Sequence, residues 1–96
     1  MYKNVITTKK FNNVTNVTVK TEGFDVVYRL FIAEDDRCVF SLCVSLYEKG
    51  RLCDERFVYD ITSDEREADR IFRILYENAV TPSSLYECID AVFDIV

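Results

Sequence analysis

Ninety-six residues make one domain with no room for a second core, and 49 % apolar beside 30 % charged residues excludes a disordered tail. Two Gly and one Pro exclude a loop-dominated scaffold, and a net charge of -5 makes capture of nucleic-acid backbone a poor main activity. The chain has no histidine, which removes the commonest general base, the commonest zinc ligand and the Ser-His and Cys-His nucleophile pairs together.

The opening residues, MYKNVITTKKF, hold no apolar run of signal-peptide length, and no later segment is long and apolar enough to span a bilayer. A cytoplasmic protein without membrane association is the expectation. A single α+β domain over residues 1–96 follows, with 1–12 read as a flexible stretch or an extra edge strand. Residues 14–20 are β-branched at nearly every second position, and Thr21, Glu22 and Gly23 suit a hairpin turn. The sequons at Asn13 and Asn16 read as β-prone Thr and Asn rather than as glycosylation sites, since no export signal precedes them.

In residues 24–33, Phe24, Val26, Tyr28, Leu30 and Ile32 point one way, opposite Asp25, Val27, Arg29, Phe31 and Ala33. After a Glu34-Asp35-Asp36 turn, residues 37–48 place Cys38, Phe40, Leu42, Val44 and Leu46 on one face, with Val39, Ser41, Cys43, Ser45 and Tyr47 on the other. This run is expected at the sheet's centre. Lys49-Gly50 turns into residues 52–61, where Asp54, Glu55 and Arg56 mark an edge strand.

At Thr62 and Ser63 the period changes from two to about 3.6, and either hydroxyl is placed to cap a helix over 64–79, with Thr62 and Glu65 spaced as a capping box. Its buried stripe is Ala68, Ile71, Phe72, Leu75 and Ala79. Thr81-Pro82 starts a second helix over 82–95 that buries Leu85, Cys88, Ile89, Val92 and Val96. The expected fold is a four-stranded antiparallel meander followed by a two-helix hairpin packed on one face.

The block Asp60-Ile61-Thr62-Ser63-Asp64, the amphipathic helix after it, Val80-Thr81-Pro82 and the helix over 85–92 resemble a small domain family of unknown function from anaerobic Gram-positive bacteria and their mobile elements. The resemblance covers residues 24–96 and leaves the first twenty outside. It implies a bacterial or phage setting and carries over no site residue.

Cys38, Cys43, Cys53 and Cys88 include no C-x-x-C pair and are expected as structural thiols. No Gly-rich phosphate loop, cation loop or catalytic Ser or Cys motif occurs, so no enzyme activity, cofactor or metal is expected.

Residues 1–48 hold six acids and six bases, and residues 49–96 hold eleven acids and six bases, so the whole excess lies in the second half. Asp69, Arg73 and Glu77 stand four apart on the first helix and are expected to neutralise one another. Glu87, Asp90 and Asp94 form a stripe on the second helix, and no Lys or Arg follows Arg73. Asp90 and Asp94 oppose the helix dipole, a choice that costs stability and so points to a binding surface.

The expected function is therefore a non-catalytic acidic binding protein. Its helical face, with Glu87, Asp90, Asp94, Asp69, Glu77 and Tyr86, docks on a basic protein partner such as a nuclease or another nucleic-acid-binding protein. Anti-CRISPR and anti-restriction inhibitors encoded by phages or mobile elements, antitoxins and immunity proteins are of this kind. The alternative is a structural domain that forms a homodimer through the sheet face carrying Val27, Phe31, Val39, Cys43 and Tyr47. Direct nucleic-acid binding through Lys3, Lys9, Lys10 and Lys20 would be weak and nonspecific.

Overall fold

A computed structural model describes residues 11–33 and 38–94. The turn at Glu34 to Asp36, the lysines at 3, 9 and 10, and Val96 lie outside the described residues. Four strands, β1 (Phe11–Thr21), β2 (Phe24–Ala33), β3 (Phe40–Glu48) and β4 (Arg51–Thr62), pair as an antiparallel meander in the order β1-β2-β3-β4. Two helices follow, α1 (Glu65–Glu77) and α2 (Leu85–Asp94), the second entered through a 3-10 turn at Pro82–Ser84.

The hairpin turns are those that the residues permit. Lys49 at φ 53° and Gly50 at φ 78° supply the two left-handed positions of a two-residue type I′ turn, whose twist matches the strands it joins. Both interior strands bury the face that alternation predicts. Val26, Tyr28 and Leu30 of β2 and Phe40, Leu42 and Val44 of β3 meet Ala68, Ile71, Phe72 and Leu75 of α1 and Leu85, Ile89 and Val92 of α2 in one core. Tyr28 is buried to its ring, and its hydroxyl donates to the Val80 carbonyl at 2.9 Å, tying the sheet to the loop between the helices. Burial raises its ionisation to about 12.

Four local expectations are corrected. Cys38 is not part of β3: it sits exposed at φ 51°, and pairing begins at Phe40. The cap of α1 is Asp64 rather than Thr62 or Ser63, accepting from the backbone N–H groups of Arg66 at 2.9 Å and Glu67 at 3.4 Å. Thr62 instead accepts from the Asp64 N–H at 3.0 Å, because a carboxylate gains more from the helix dipole than a hydroxyl does. Ala79 lies beyond α1, exposed at φ 50°. There the Ala79 N–H donates to the Tyr76 carbonyl at 3.3 Å and the Val80 N–H to the Leu75 carbonyl at 3.0 Å, a Schellman ending built without glycine. Finally, Thr81 makes no side-chain capping bond, and three residues of the expected second helix are 3-10.

The helices cover one face of the sheet. On the other face lie Val27, Arg29 and Phe31 of β2, Ser41, Cys43, Ser45 and Tyr47 of β3, and Leu52, Glu55 and Phe57 of β4, by register. β4 departs from regular pairing twice, between Leu46 and Tyr47 and between Phe40 and Leu42 on β3. At the second irregularity Asp60 takes φ 55° and its N–H donates to Ser41 Oγ at 2.8 Å.

Candidate functional site

On α2, Tyr86, Glu87 and Asp90 are exposed, because the helix turns Leu85, Ile89 and Val92 inward at helical spacing. Tyr86 is exposed by 49 %, yet it is held at both ends. Its hydroxyl donates to the Phe57 carbonyl of β4 at 3.2 Å, and the Arg56 guanidinium carbon stands 6.0 Å from its ring centroid, at the limit of cation–π attraction. Arg56 is itself 3.6 Å from the Asp54 carboxylate. Glu87 and Asp90 stand beside this ring, the next residue and one turn further on, on the same side of the helix.

The other expected site residues lie elsewhere. Asp69 is exposed on α1, in a shallow groove with Thr15 and Val17 of β1 and with Phe72, Arg73 and Tyr76. β1 and β4 are opposite edges of the sheet, so Asp69 and Tyr86 do not share one surface. Glu77 is the exposed last residue of α1. Asp94 closes α2, and its side chain lies outside the described residues.

The expected neutralisation on α1 is also relocated: among the described residues its ion pair joins Glu67 and Arg70, three apart, with Arg70 Nε 3.1 Å from Glu67 Oε1. Arg70 pulls the Glu67 carboxyl below its usual range. Tyr76 is half-buried, edge-on to Phe72 at 5.6 Å and 71°, and belongs to the core's margin.

Residue-by-residue reading did not single out Phe57 and Leu52, yet they, with Tyr59 and Tyr86, make up four of the five large apolar side chains that are exposed among the described residues. Three of them are on β4. Phe57 and Tyr59 stack at 5.6 Å with rings 4° from parallel. Their i, i+2 spacing on an edge strand was the available signal, and the charged triplet at Asp54 to Arg56 masked it.

The face away from the helices also carries a polar network. Ser45, fully buried between longer neighbours, donates to Glu55 Oε2 at 2.7 Å and accepts from Arg29 Nη1 at 3.2 Å. With the serine proton committed to Glu55, the Cys43 thiol is the donor in its 3.6 Å contact with Ser45 Oγ. Burial pushes that thiol's ionisation up. Cys38 and Cys53 are exposed, against the expectation of packed thiols, and Cys53 Sγ lies 3.5 Å from Glu48 Oε1.

Among the described residues no three His, Cys, Asp or Glu side chains gather closely enough to hold a metal ion, and no helix is long and apolar enough to cross a membrane. Among the described residues, shallow grooves sit at the hairpin ends and between β1 and α1.

No curated protein and no solved structure matches the chain. A family model matches residues 2–94, reaching through the first twenty residues that the resemblance left out. On that match the chain belongs to DUF6514, a family of unknown function.

Proposed function

We propose that this domain is a non-catalytic binding protein whose α2 surface, centred on Tyr86 with Glu87 and Asp90 beside it, docks on a basic protein surface in the cytoplasm. The observation that carries this is the pinned tyrosine: a half-exposed ring fixed to Phe57 and Arg56 beside two exposed carboxylates. A preorganised ring loses little side-chain entropy on binding, and Tyr is among the residues that anchor interfaces. The carboxylates beside the ring suit Arg or Lys on the partner, and the neighbouring Arg56 already faces Asp54 at 3.6 Å.

Electrostatic complementarity of this kind speeds encounter and selects the partner more than it adds affinity. A surface rich in Arg and Lys is typical of proteins that hold nucleic acid. An inhibitor of a nucleic-acid-processing enzyme, carried by a bacterium, phage or mobile element, is the form of the reading we favour. An antitoxin or immunity protein would use the same surface.

The test is affinity capture from the native host with three baits: the wild-type chain, Tyr86→Ala, and Glu87→Gln with Asp90→Asn. A basic partner held by wild type, released by salt and lost from both variants is the expected outcome. Retention of the same partner by the neutralised bait overturns the reading.

A further inference from the structure

We propose that the sheet face turned away from the helices is the docking surface for a second copy of this chain, sheet against sheet. Three features lead there. First, the apolar side chains that the fold leaves outside are concentrated on this face: Leu52, Phe57 and Tyr59 are 48 %, 39 % and 58 % exposed, and Val27, Phe31 and Tyr47 are half-buried beside them. They form two apolar groups, Val27, Tyr47 and Leu52 on one side of the Arg29–Ser45–Glu55 network and Phe31, Phe57 and Tyr59 on the other, and exposed apolar groups around a polar network suit an interface.

Second, the charged side chains that register places on this face balance one another in a chain of -5. Its charged side chains in register come as two opposite pairs, Lys20 with Asp25 at 3.7 Å and Arg29 with Glu55 at 4.0 Å. Two copies repel one another through a surface that shows the acidic excess, and these paired charges add none to it. Docking here also leaves α1 and α2 of each copy on the outside, with two sheets about 10 Å apart between them. The same surface meets itself in an isologous contact, so Arg29 of one copy is complementary to Glu55 of the other.

Third, the surface has the shape and size. Small buried residues, Ser41, Cys43 and Ser45, run along its middle strand, and the Arg29–Ser45–Glu55 bonds close over them, so the face is filled rather than cleft. Four strands of about nine paired residues span roughly 600 Å² in projection. With side-chain relief that approaches the ~800 Å² per partner of a standard interface.

The experiment is sedimentation velocity of the full chain across the micromolar range. The wild type is expected to pass from monomer to dimer with rising concentration. Phe57→Glu, which puts a like charge on the contact, is expected to weaken the dimer by about tenfold or more, as loss of a central aromatic anchor does. Tyr59→Glu is the second variant should Phe57→Glu fail to keep the wild-type circular dichroism spectrum. Glu87→Gln with Asp90→Asn serves as the control on the α2 surface, and its dimer is expected to match wild type. A monomer throughout the range, or a dimer that survives both folded β4 variants, overturns the proposal. The partner-capture experiment reads α2 and this one reads the sheet, so either proposal can fail alone.

Discussion

One sheet presents two faces made from the same four strands, and the two differ in how their side chains are satisfied. Toward the helices, Val26, Tyr28, Leu30, Leu42 and Val44 are closed off by α1 and α2, and the Tyr28 hydroxyl brought inside has the Val80 carbonyl as its partner. Away from the helices, Ser45, Cys43, Arg29 and Glu55 satisfy one another laterally across β2, β3 and β4, while Phe57 and Tyr59 stack at the edge. Burial on the first face comes from a second layer; on the other it comes from neighbours in the same layer. Face-to-face burial brings stability and lateral burial leaves a surface free for contact.

Truncation separates the two faces most sharply. Leu75→Ala, at a fully buried position of α1, is expected to lose about 2–5 kcal/mol, read from urea unfolding. Phe57→Ala, with its ring exposed at the sheet edge, is expected to lose less than about 1 kcal/mol in a monomeric sample. Equal losses would erase the distinction. Ser45→Ala comes next, at about 1–2 kcal/mol, because it leaves the Glu55 and Arg29 groups without their shared hydroxyl; a loss near zero would mean that water replaces it.

Tyr28→Phe tests the buried hydroxyl of the helix-covered face and is expected to cost about 1 kcal/mol at neutral pH. Its alkaline signature is separate. An unfolded tyrosine ionises near 10.0 and Tyr28 only at about 12, so the folded state holds the proton more tightly. The stability from this group is complete below pH 10.0 and is lost as pH rises toward 12. Chemical denaturation across that window is expected to show a shallower fall for Tyr28→Phe than for wild type.

The smallest effect has the opposite sign. Ala79→Gly relieves the left-handed backbone at φ 50° and is expected to stabilise by about 0.5 kcal/mol, since the relief is partly offset by a more flexible unfolded chain. A loss of stability there would show that the Ala79 methyl packs on the Leu75 and Val80 end of the helix.

The strands on which apolar and polar residues alternate were legible in advance, as was the helical stripe of Ala68, Ile71, Phe72 and Leu75. The ends were not. Asp64 stood one residue past two plausible hydroxyl caps, and the Schellman turn at Ala79 lacks the glycine that usually announces it, so local signals pointed one or two positions away. The acidic residues were legible as charges and illegible as a surface. Asp69 faces β1 and Tyr86 faces β4, and no count along the chain says which sheet edge a helix residue will overlie.

By itself the sequence determined the order of elements, the inward faces of β2, β3 and α1, and the acidic excess of the second half, because each follows from the 2.0 or 3.6 period or from a sum of charges. The tertiary structure decided what meets across strands and layers: the Arg29, Ser45 and Glu55 network, Tyr86 bonded to Phe57, and the stacked Phe57 and Tyr59 rings beside paired charges. Those contacts join residues from 10 to 29 positions apart, and only strand register and helix placement set such distances.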